Sequence, residues 1–265
     1  MKISAPVKVA ENIWQFNEGA DFRGDGTVIP YVDAWLVVGE ERAVLVDTLQ
    51  NCENLFELVR EITDKPIDVL ITHGHGDHVG ASTGKFAEDG CKIYMAMVDY
   101  EGLTARNPSL KKEWFTDLAD GDTFDIGGYS FETVFCPGHT PGCVAFYDKK
   151  NRIIFSGDTI GSGGFWMQLP MSLPLDQFLV NLDKFIERVD ADDDLIVYPG
   201  HRNQSPVQLT GQYYKDARTI TAAVIDGTME GEDGILERPG FTIHYKSIAY
   251  GMMRSYCYDP KKIKS

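Results

Sequence analysis

The sequence predicts an α/β protein in which two β-sheets pack face to face and helices cover their outer faces. Strand-like and helix-like segments occur in both halves of the chain, and no linker separates the halves. The length of 265 residues fits one large α/β domain. We therefore expect a single domain over residues 1–265, in which residues 205–265 add a helix and a strand.

The first half begins with short strands. The segments "VKVAENIWQFN" and "DAWLVVGEERAVLVDT" carry apolar runs, and "GEER" is a turn between two of them. The segment "NLFELVREIT" has apolar residues at helical spacing, and Pro66 stops it before the strand "IDVLIT". A helix from about Val79 to Asp89 and a strand "CKIYMA" follow. The strand "IDVLIT" therefore leads directly into the motif "HGHGDH".

The second half repeats this order of strands and helices. The segments "DTFDIGGYSFETVFC" and "GCVAFYDKKNRIIFSGDT" are typical of β-hairpins. Helical spacing recurs in "LDQFLVNLDKFIERV" and "VQLTGQYYKDARTITAAVI", on either side of the strand "DLIVYPGH". A last strand is predicted near "FTIHYKSI".

Composition restricts the class of function. The net charge of −15 disfavours nucleic acid as a partner, because phosphate neutralisation needs clustered Lys and Arg. No segment is apolar enough to cross a membrane or to act as a signal peptide. The five cysteines form no C-x-x-C pair and are typical of reduced thiols. We expect a cytoplasmic protein that acts on a small molecule, with no membrane partner; a homo-oligomer is compatible with the sequence.

Histidines are concentrated at one place. Three of the six lie in one motif, as His73, His75 and His78, with Asp77 between them. The motif follows a strand and precedes a helix, where open α/β sheets place ligand sites. Neutral imidazoles beside a carboxylate are the ligands that Zn²⁺ and similar divalent ions prefer. The motif therefore predicts part of a metal site.

Three further strand ends carry metal-ligating residues. They are His139 in "CPGHT", Asp158 in "SGDT" and His201 in "YPGH". Any one of them alone is more often structural, but their common position after predicted strands favours a shared metal centre.

The pattern H-x-H-x-D-H followed by isolated His, Asp and His resembles the metallo-β-lactamase superfamily, from Val7 to about Gln208. The resemblance implies an αββα sandwich with two metal ions at one edge of the sheets. It implies a first metal held by His73, His75 and His139, a second held by Asp77, His78 and His201, and Asp158 bridging the two. Asp47 in "LVDT" matches an aspartate that supports the ligands from behind; a turn or N-cap aspartate is the alternative.

The ligand types suggest the chemistry. Nitrogen and oxygen ligands suit Zn²⁺ best, and Fe or Mn also accept them. Two cations that share a hydroxide lower the pKa of that water, so a nucleophile exists at neutral pH. Asp77 is a candidate catalytic residue that orients the nucleophile or accepts its proton. No G-x-S-x-G motif supplies a serine nucleophile. We expect a dinuclear metal-dependent hydrolase of a carbonyl ester.

Within the superfamily, "CPGHTPG", "SGDT" and "YPGH" are most similar to the glyoxalase II type (hydroxyacylglutathione hydrolases), which cleave thioesters. Asp158 stands where the true zinc β-lactamases carry Cys or Ser, and Gly161 stands where quorum-quenching lactonases carry Tyr. The basic cluster that binds glutathione carboxylates is not evident after His201. We therefore favour a thioester over a lactone, and a lactone over a lactam. A mononuclear iron persulfide dioxygenase on the same fold is the alternative.

Three regions are candidates for substrate contacts. The segment "GSGGFWMQLPMSLP" either packs in the core or forms an apolar substrate pocket with Phe165, Trp166 and Met167. His244 is either a strand residue or a catalytic proton donor. The loop of residues 17–33 is either a solvated connection or a cover over the groove. We expect a substrate with an apolar part.

Overall fold

The computed structural model describes residues 2–19, 22–23, 27–28, 32–238 and 241–265. The α-helices are α1 (Leu55–Ile62), α2 (Thr83–Glu88), α3 (Tyr100–Thr104), α4 (Leu175–Arg188) and α5 (Gly211–Asp226). The strands are β1 (Val7–Ala10), β2 (Ile13–Glu18), β3 (Phe22–Arg23), β4 (Thr27–Val28), β5 (Val32–Val38), β6 (Ala43–Val46), β7 (Ile67–Leu70), β8 (Lys92–Met95), β9 (Phe115–Asp117), β10 (Thr123–Asp125), β11 (Ser130–Phe135), β12 (Val144–Asp148), β13 (Ile153–Gly157), β14 (Gly164–Met167), β15 (Ile196–Pro199), β16 (Glu232–Arg238), β17 (Phe241–Tyr250) and β18 (Met253–Tyr258).

The first sheet has the strand order β1-β2-β5-β6-β7-β8-β9. Its early strands are antiparallel, and β6, β7, β8 and β9 are parallel. Val46 pairs with Leu70, so β6 and β7 end side by side at one edge. The chain that leaves this edge carries Asp47 after β6 and His73 after β7.

The second sheet has the order β10-β11-β12-β13-β15. Strands β13 and β15 are parallel, and Gly157 pairs with Pro199. Because β11 runs in the same direction as β13, their carboxyl ends lie at one edge. Asp158, His201 and His139 follow these three ends, as the sequence predicted.

Three hydrophobic clusters define four layers. One cluster joins α1, α2 and α3 to the first sheet, with Leu55, Phe86 and Leu103 among its members. A central cluster joins the inner faces of the two sheets. A third joins α4 and α5 to the second sheet, with Phe178 and Tyr214 among its members. The predicted αββα sandwich is therefore the observed architecture.

The helix predicted from Val79 begins later, at Thr83. Before it, the backbone of Gly80 lies against the carbonyl groups of Leu49 and Gln50, so close that a side chain would not fit. The amide of Ala81 donates to the carbonyl of Gln50 at 2.9 Å. These contacts join the histidine loop to the loop after β6, which an α-helical conformation there would prevent.

The C-terminal part contains more strands than predicted. Residues 205–265 form α5 and three strands, where one helix and one strand were expected. The strands β18, β17 and β16 form a third sheet with β14, which the sequence had placed in a loop. Among the described residues, no helix combines the length and apolarity needed to span a membrane. Much of the 17–33 loop lies outside the described residues, so its role as a cover stays a prediction.

Candidate metal centre

The imidazoles of His73, His75 and His139 converge at the edge of the two sheets, and we refer to them as the three-histidine group. The Nδ1 atom of His75 lies 3.1 Å from Nε2 of His73 and 3.0 Å from Nε2 of His139. Tetrahedral zinc with bonds of about 2.0–2.1 Å sets its ligand nitrogens roughly 3.3 Å apart. The spacing of the three nitrogens fits one such ion.

The outer nitrogens of His139 and His73 contact other partners, whereas Nε2 of His75 is buried and makes no hydrogen bond within the described residues. Nδ1 of His139 donates to the carbonyl of Trp166 at 2.7 Å, and Nδ1 of His73 lies 3.1 Å from the hydroxyl of Thr72. A neutral imidazole has one N–H, so Nε2 of His139 presents a lone pair to the centre. This is the tautomer that a metal ligand requires.

Burial keeps the three-histidine group neutral. It lowers the pKa of His73 well below its usual value, lowers the pKa of His75 to about 3, and lowers the pKa of His139. Neighbouring imidazoles add to this effect at His73 and His75, because a second positive charge would be repelled. The group is therefore ready to bind a cation at neutral pH without losing protons.

Asp77, His78 and His201 form a second cluster, the mixed group. The Asp77 carboxylate lies 3.6 Å from Nε2 of His201 and 3.8 Å from Nε2 of His78. The Asp158 carboxylate lies 3.0 Å from Nε2 of His201 and 3.8 Å from Nε2 of His78. Asp158 also clusters with His73 and His78, so it stands between the two groups.

His78 supplies a direct test of whether a cation fits. Its Nδ1 lies 2.8 Å from the carboxylate of Asp47, while its Nε2 is buried and makes no hydrogen bond within the described part of the chain. Buried polar atoms are rarely left in this way. A carboxylate behind an imidazole whose other nitrogen is unpaired is the usual arrangement around a bound metal. The residues present fit a metal ion.

Asp47 is held rigidly behind the histidines. It is 1% exposed, and its carboxylate accepts from the amide of Thr72 at 2.8 Å. Its backbone has a φ of 62°, which is a strained conformation for a residue with a side chain. Asp tolerates this region better than most residues. The strained turn directs the carboxylate at His78.

Charge pairing dominates the mixed group. Burial favours the neutral form of His78 and His201, but the carboxylates of Asp47 and Asp77 hold the pKa of His78 well above its usual value. Against the same burial effect, Asp158 raises the pKa of His201 to about 9. Burial alone would raise the carboxyl pKa values, yet the two histidines hold the pKa of Asp158 well below its usual value and lower that of Asp77. The carboxylates of Asp77 and Asp158 are therefore ionised at neutral pH.

Asp99 is a supporting residue that the sequence analysis did not identify. Its buried carboxylate accepts from the amide of Gly74 at 2.8 Å, the hydroxyl of Thr140 at 2.6 Å and the amide of Gly142 at 2.9 Å. A Cβ on Gly74 would lie 2.5 Å from Cβ of Asp99, and one on Gly142 would lie 2.7 Å from its Cγ. Asp99 therefore ties the loop of His73 and His75 to the loop of His139. In the sequence, Gly74 and Gly142 were the available signal of a close contact, but they do not identify Asp99 as the residue they contact.

A cavity of about 390 Å³ opens on the centre. Its metal side is formed by His75, Asp77, His139, Asp158 and His201. Its apolar wall is formed by Trp166, Leu169, Pro170, Met171 and Leu236. The side chain of Asp77 is 36% exposed here, so its carboxylate can reach a bound molecule.

Of the predicted substrate-binding residues, only Trp166 lines the cavity. Phe165 and Met167 are 0% and 1% exposed and pack in the core beneath α4 and α5, so the structure does not support substrate contacts for them. The reason is the alternation of side chains along β14, which directs Gly164 and Trp166 to one face and Phe165 and Met167 to the other.

His244 does not reach the centre. It is exposed on β17, where it pairs with Ile235 of β16, and it is not part of the cavity wall. On β16 it is the adjacent residue, Leu236, that faces the cavity. The predicted catalytic role of His244 is therefore corrected, because the strand period turns its side chain outward.

Comparison with known proteins places this geometry in a family. Residues 29–201 match the family model of the metallo-β-lactamase superfamily. Hydroxyacylglutathione hydrolase GloC of Haemophilus influenzae is 25% identical over 182 residues, which cover 63% of this chain and 84% of the relative. The acyl-coenzyme A thioesterase MBLAC2 of Homo sapiens is 27% identical over 205 residues, with 64% of this chain and 72% of the relative covered.

The fold is also found among solved structures. A metallo-β-lactamase from Pontibacter korlensis is similar with a TM-score of 0.63 and 21% identity, covering 82% of this chain and 98% of that chain. The family match extends over more than half of the sequence, and the two relatives named above are hydrolases, as predicted. The αββα architecture and its cluster of histidines and aspartates have the same explanation: the chain belongs to the metallo-β-lactamase superfamily.

Proposed function

We propose that the protein is a hydrolase that uses two divalent metal ions, with zinc as the first candidate, to cleave an acyl thioester. The observation that carries the proposal is that the three-histidine group and the mixed group lie on either side of Asp158 and face one cavity. Two ions so placed would lower the pKa of a shared water molecule and polarise a substrate carbonyl.

Asp77 is the candidate proton acceptor. Its carboxylate is ionised at neutral pH, because His78 and His201 lower its pKa, and its side chain faces the cavity. A carboxylate in this position accepts a hydrogen bond from the attacking water and orients it toward the carbonyl carbon. In this role Asp77 contributes to catalysis as well as to ion binding.

Support for a thioester comes from the relatives and from Gly161. The Haemophilus and human relatives are named for thioester substrates. Gly161 has a φ of 78° and lies against the backbone of Gly164, so a tyrosine like that of the lactonases does not fit there. Gly161 lines the cavity without a side chain that could assist the opening of a lactone, and a lactone is therefore the second choice of substrate.

The substrate we propose carries an apolar acyl part. Trp166, Leu169 and Met171 line the same cavity as the metal-side residues and give it an apolar wall. Burying an acyl chain there would be favourable by about 25 cal/mol for each Å² of apolar surface removed from water. We further propose that the protein acts in the cytoplasm, where the thiols of its five free cysteines stay reduced.

The test is hydrolysis of a panel of acyl thioesters by the protein with its native metal, before and after chelation. We expect activity that disappears with the metal. His139→Ala should abolish it, while His244→Ala, the matched control, should retain activity within tenfold. Trp166→Ala should raise KM for long acyl chains far more than for acetyl thioesters. Failure of the metal-loaded protein to cleave any thioester would overturn the proposal.

A further inference from the structure

Arg106 contributes the positive charge in the wall of the cavity. The helical turn of α3 continues past Thr104, since the amide of Arg106 donates to the carbonyl of Leu103 at 3.1 Å. One turn earlier, Gly102 lies against the apolar wall, where a Cβ would be 2.9 Å from Cε of Met171. Residues four apart share a helix face. The absence of a side chain at Gly102 thus lets α3 approach Met171 and places Arg106 over the cavity.

The guanidinium of Arg106 has no acidic partner among the described residues. It makes no ion pair and no side-chain hydrogen bond in this part of the chain, and it lines the same cavity as the apolar wall and the metal side. Several other arginines pair with carboxylates, as in Arg42–Asp68, Arg152–Asp192, Arg188–Glu132 and Arg218–Asp183. In a chain of net charge −15, a cation directed at a cavity without a carboxylate partner indicates an anionic ligand.

The carboxylates of the cavity do not fill this role. Asp77 and Asp158 belong to the metal side, and their charge is matched by His78 and His201 and by the ions they would hold. The cavity therefore has three chemically distinct parts: the metal side, the apolar wall and the guanidinium of Arg106. A ligand that satisfies all three has a scissile carbonyl, an apolar segment and an anionic group.

We propose that Arg106 determines specificity by binding a carboxylate or phosphate of the substrate, and that the substrate is an anionic acyl thioester. The inference rests on the proposed function and adds the charge of the substrate to it. The planar guanidinium matches both anions with two parallel hydrogen bonds. Because Arg106 is exposed at the cavity, we expect its effect on binding to be moderate.

The experiment compares three hexanoyl thioesters, of N-acetylcysteamine (neutral), glutathione (carboxylates) and coenzyme A (phosphates). Arg106→Gln should lower kcat/KM for at least one anionic thioester about 10-fold or more, mainly through KM, and change the neutral one less than about twofold. Arg106→Lys should restore part of the loss. Arg218→Gln is the matched control, because Arg218 pairs with Asp183 away from the cavity.

The outcomes separate the inference from the proposed function. Selective loss on the glutathione thioester identifies a carboxylate, and selective loss on the coenzyme A thioester identifies a phosphate. An equal effect on all three thioesters, or none, overturns the role of Arg106 while the hydrolase proposal stands. If the wild-type protein cleaves none of the three, the hydrolase proposal fails. In that case, the affinities for octanoate and octyl phosphate are measured by calorimetry to test whether Arg106 binds an anion. Equal affinities in the wild type and in Arg106→Gln would overturn its role.

Discussion

The three-histidine group and the mixed group hold their ligands by different means. In the three-histidine group, the outer nitrogens of His73 and His139 contact a hydroxyl and a backbone carbonyl, and the imidazoles are neutral. In the mixed group, His78 and His201 contact the carboxylates of Asp47 and Asp158. One group is organised by uncharged partners and the other by charge pairs.

Because the partners differ, we expect protons to compete with the ion in only one of the two groups. A cation enters the three-histidine group without displacing protons, because burial has already lowered the pKa values. In the mixed group a cation competes with protons on His78 and His201, whose pKa values are raised. The comparison therefore separates a site whose affinity depends on geometry from one whose affinity also depends on pH.

Replacing Asp158 should have the largest effect, because this carboxylate lies between the groups. We expect Asp158→Ala to lose the ion of the mixed group, to weaken the other, and to lower kcat/KM by about 10³-fold or more, since metal stabilisation of the transition state is worth several kcal/mol. Metal analysis and kinetics of the same preparation check this. Retention of both ions with near-normal kcat/KM would show that Asp158 is not shared.

The pH dependence of zinc binding should distinguish the groups directly. The pKa of His201 is about 9 and that of His78 is raised well above 6.5, so both carry protons in the metal-free protein at pH 7. Between pH 9 and pH 7, affinity for the second equivalent should fall about tenfold per pH unit for each displaced proton, while that for the first stays level. Titration calorimetry in buffers of different ionisation enthalpy measures the protons released. If the affinities for the first and the second equivalent of zinc depended equally on pH, the two groups would not differ as we expect.

Asp47→Asn should weaken the mixed group selectively. The substitution keeps the shape of the side chain but removes the charge that lies 2.8 Å from Nδ1 of His78. Loss of such a supporting carboxylate typically costs 10- to 100-fold in metal affinity, so we expect a loss of about this size for the second equivalent of zinc. An unchanged second equivalent in a calorimetric titration would contradict the role assigned to Asp47.

Asp99→Asn should weaken zinc binding to the three-histidine group more than to the mixed group, and by a smaller factor than Asp47→Asn weakens the mixed group. Its carboxylate accepts three hydrogen bonds from the loops of His75 and His139, and an amide nitrogen in place of one oxygen cannot accept them all. We expect about tenfold weaker binding of the first equivalent of zinc, with the second less affected. Asp47→Asn and Asp99→Asn are each other's controls. If both weaken the same equivalent, the two groups are not supported separately.

The sequence was sufficient to predict that the candidate metal ligands converge, because they follow the ends of strands; that they bind metal stays a prediction. Strand direction places His73, His139, Asp158 and His201 at one edge once the sheets are formed. Asp99 and Arg106 could not be predicted in this way. Each is a single polar residue near a short helix, and its role depends on contacts with loops distant in the sequence, such as that between Asp99 and Gly142.

The wall of the cavity was predicted only in part. The sequence identified "GFWM" as apolar, but it did not show that the segment is a strand, because its partner β18 lies near the C-terminus. Once β14 is recognised as a strand, its period of two separates Trp166 from the buried Phe165 and Met167. The sequence left two interpretations of His244 open for the same reason, since the direction of its side chain depends on the register of β16 and β17, which favours the strand residue.

The most direct test of the two-ion centre is the metal content of the protein, measured by elemental analysis after purification without added metal or chelator. We expect close to two equivalents per chain, of zinc or of a mixture with iron or manganese. A single equivalent of iron would contradict the two-ion centre and favour the mononuclear dioxygenase. No bound metal, with none regained on reconstitution, would show that the two groups do not form a metal centre.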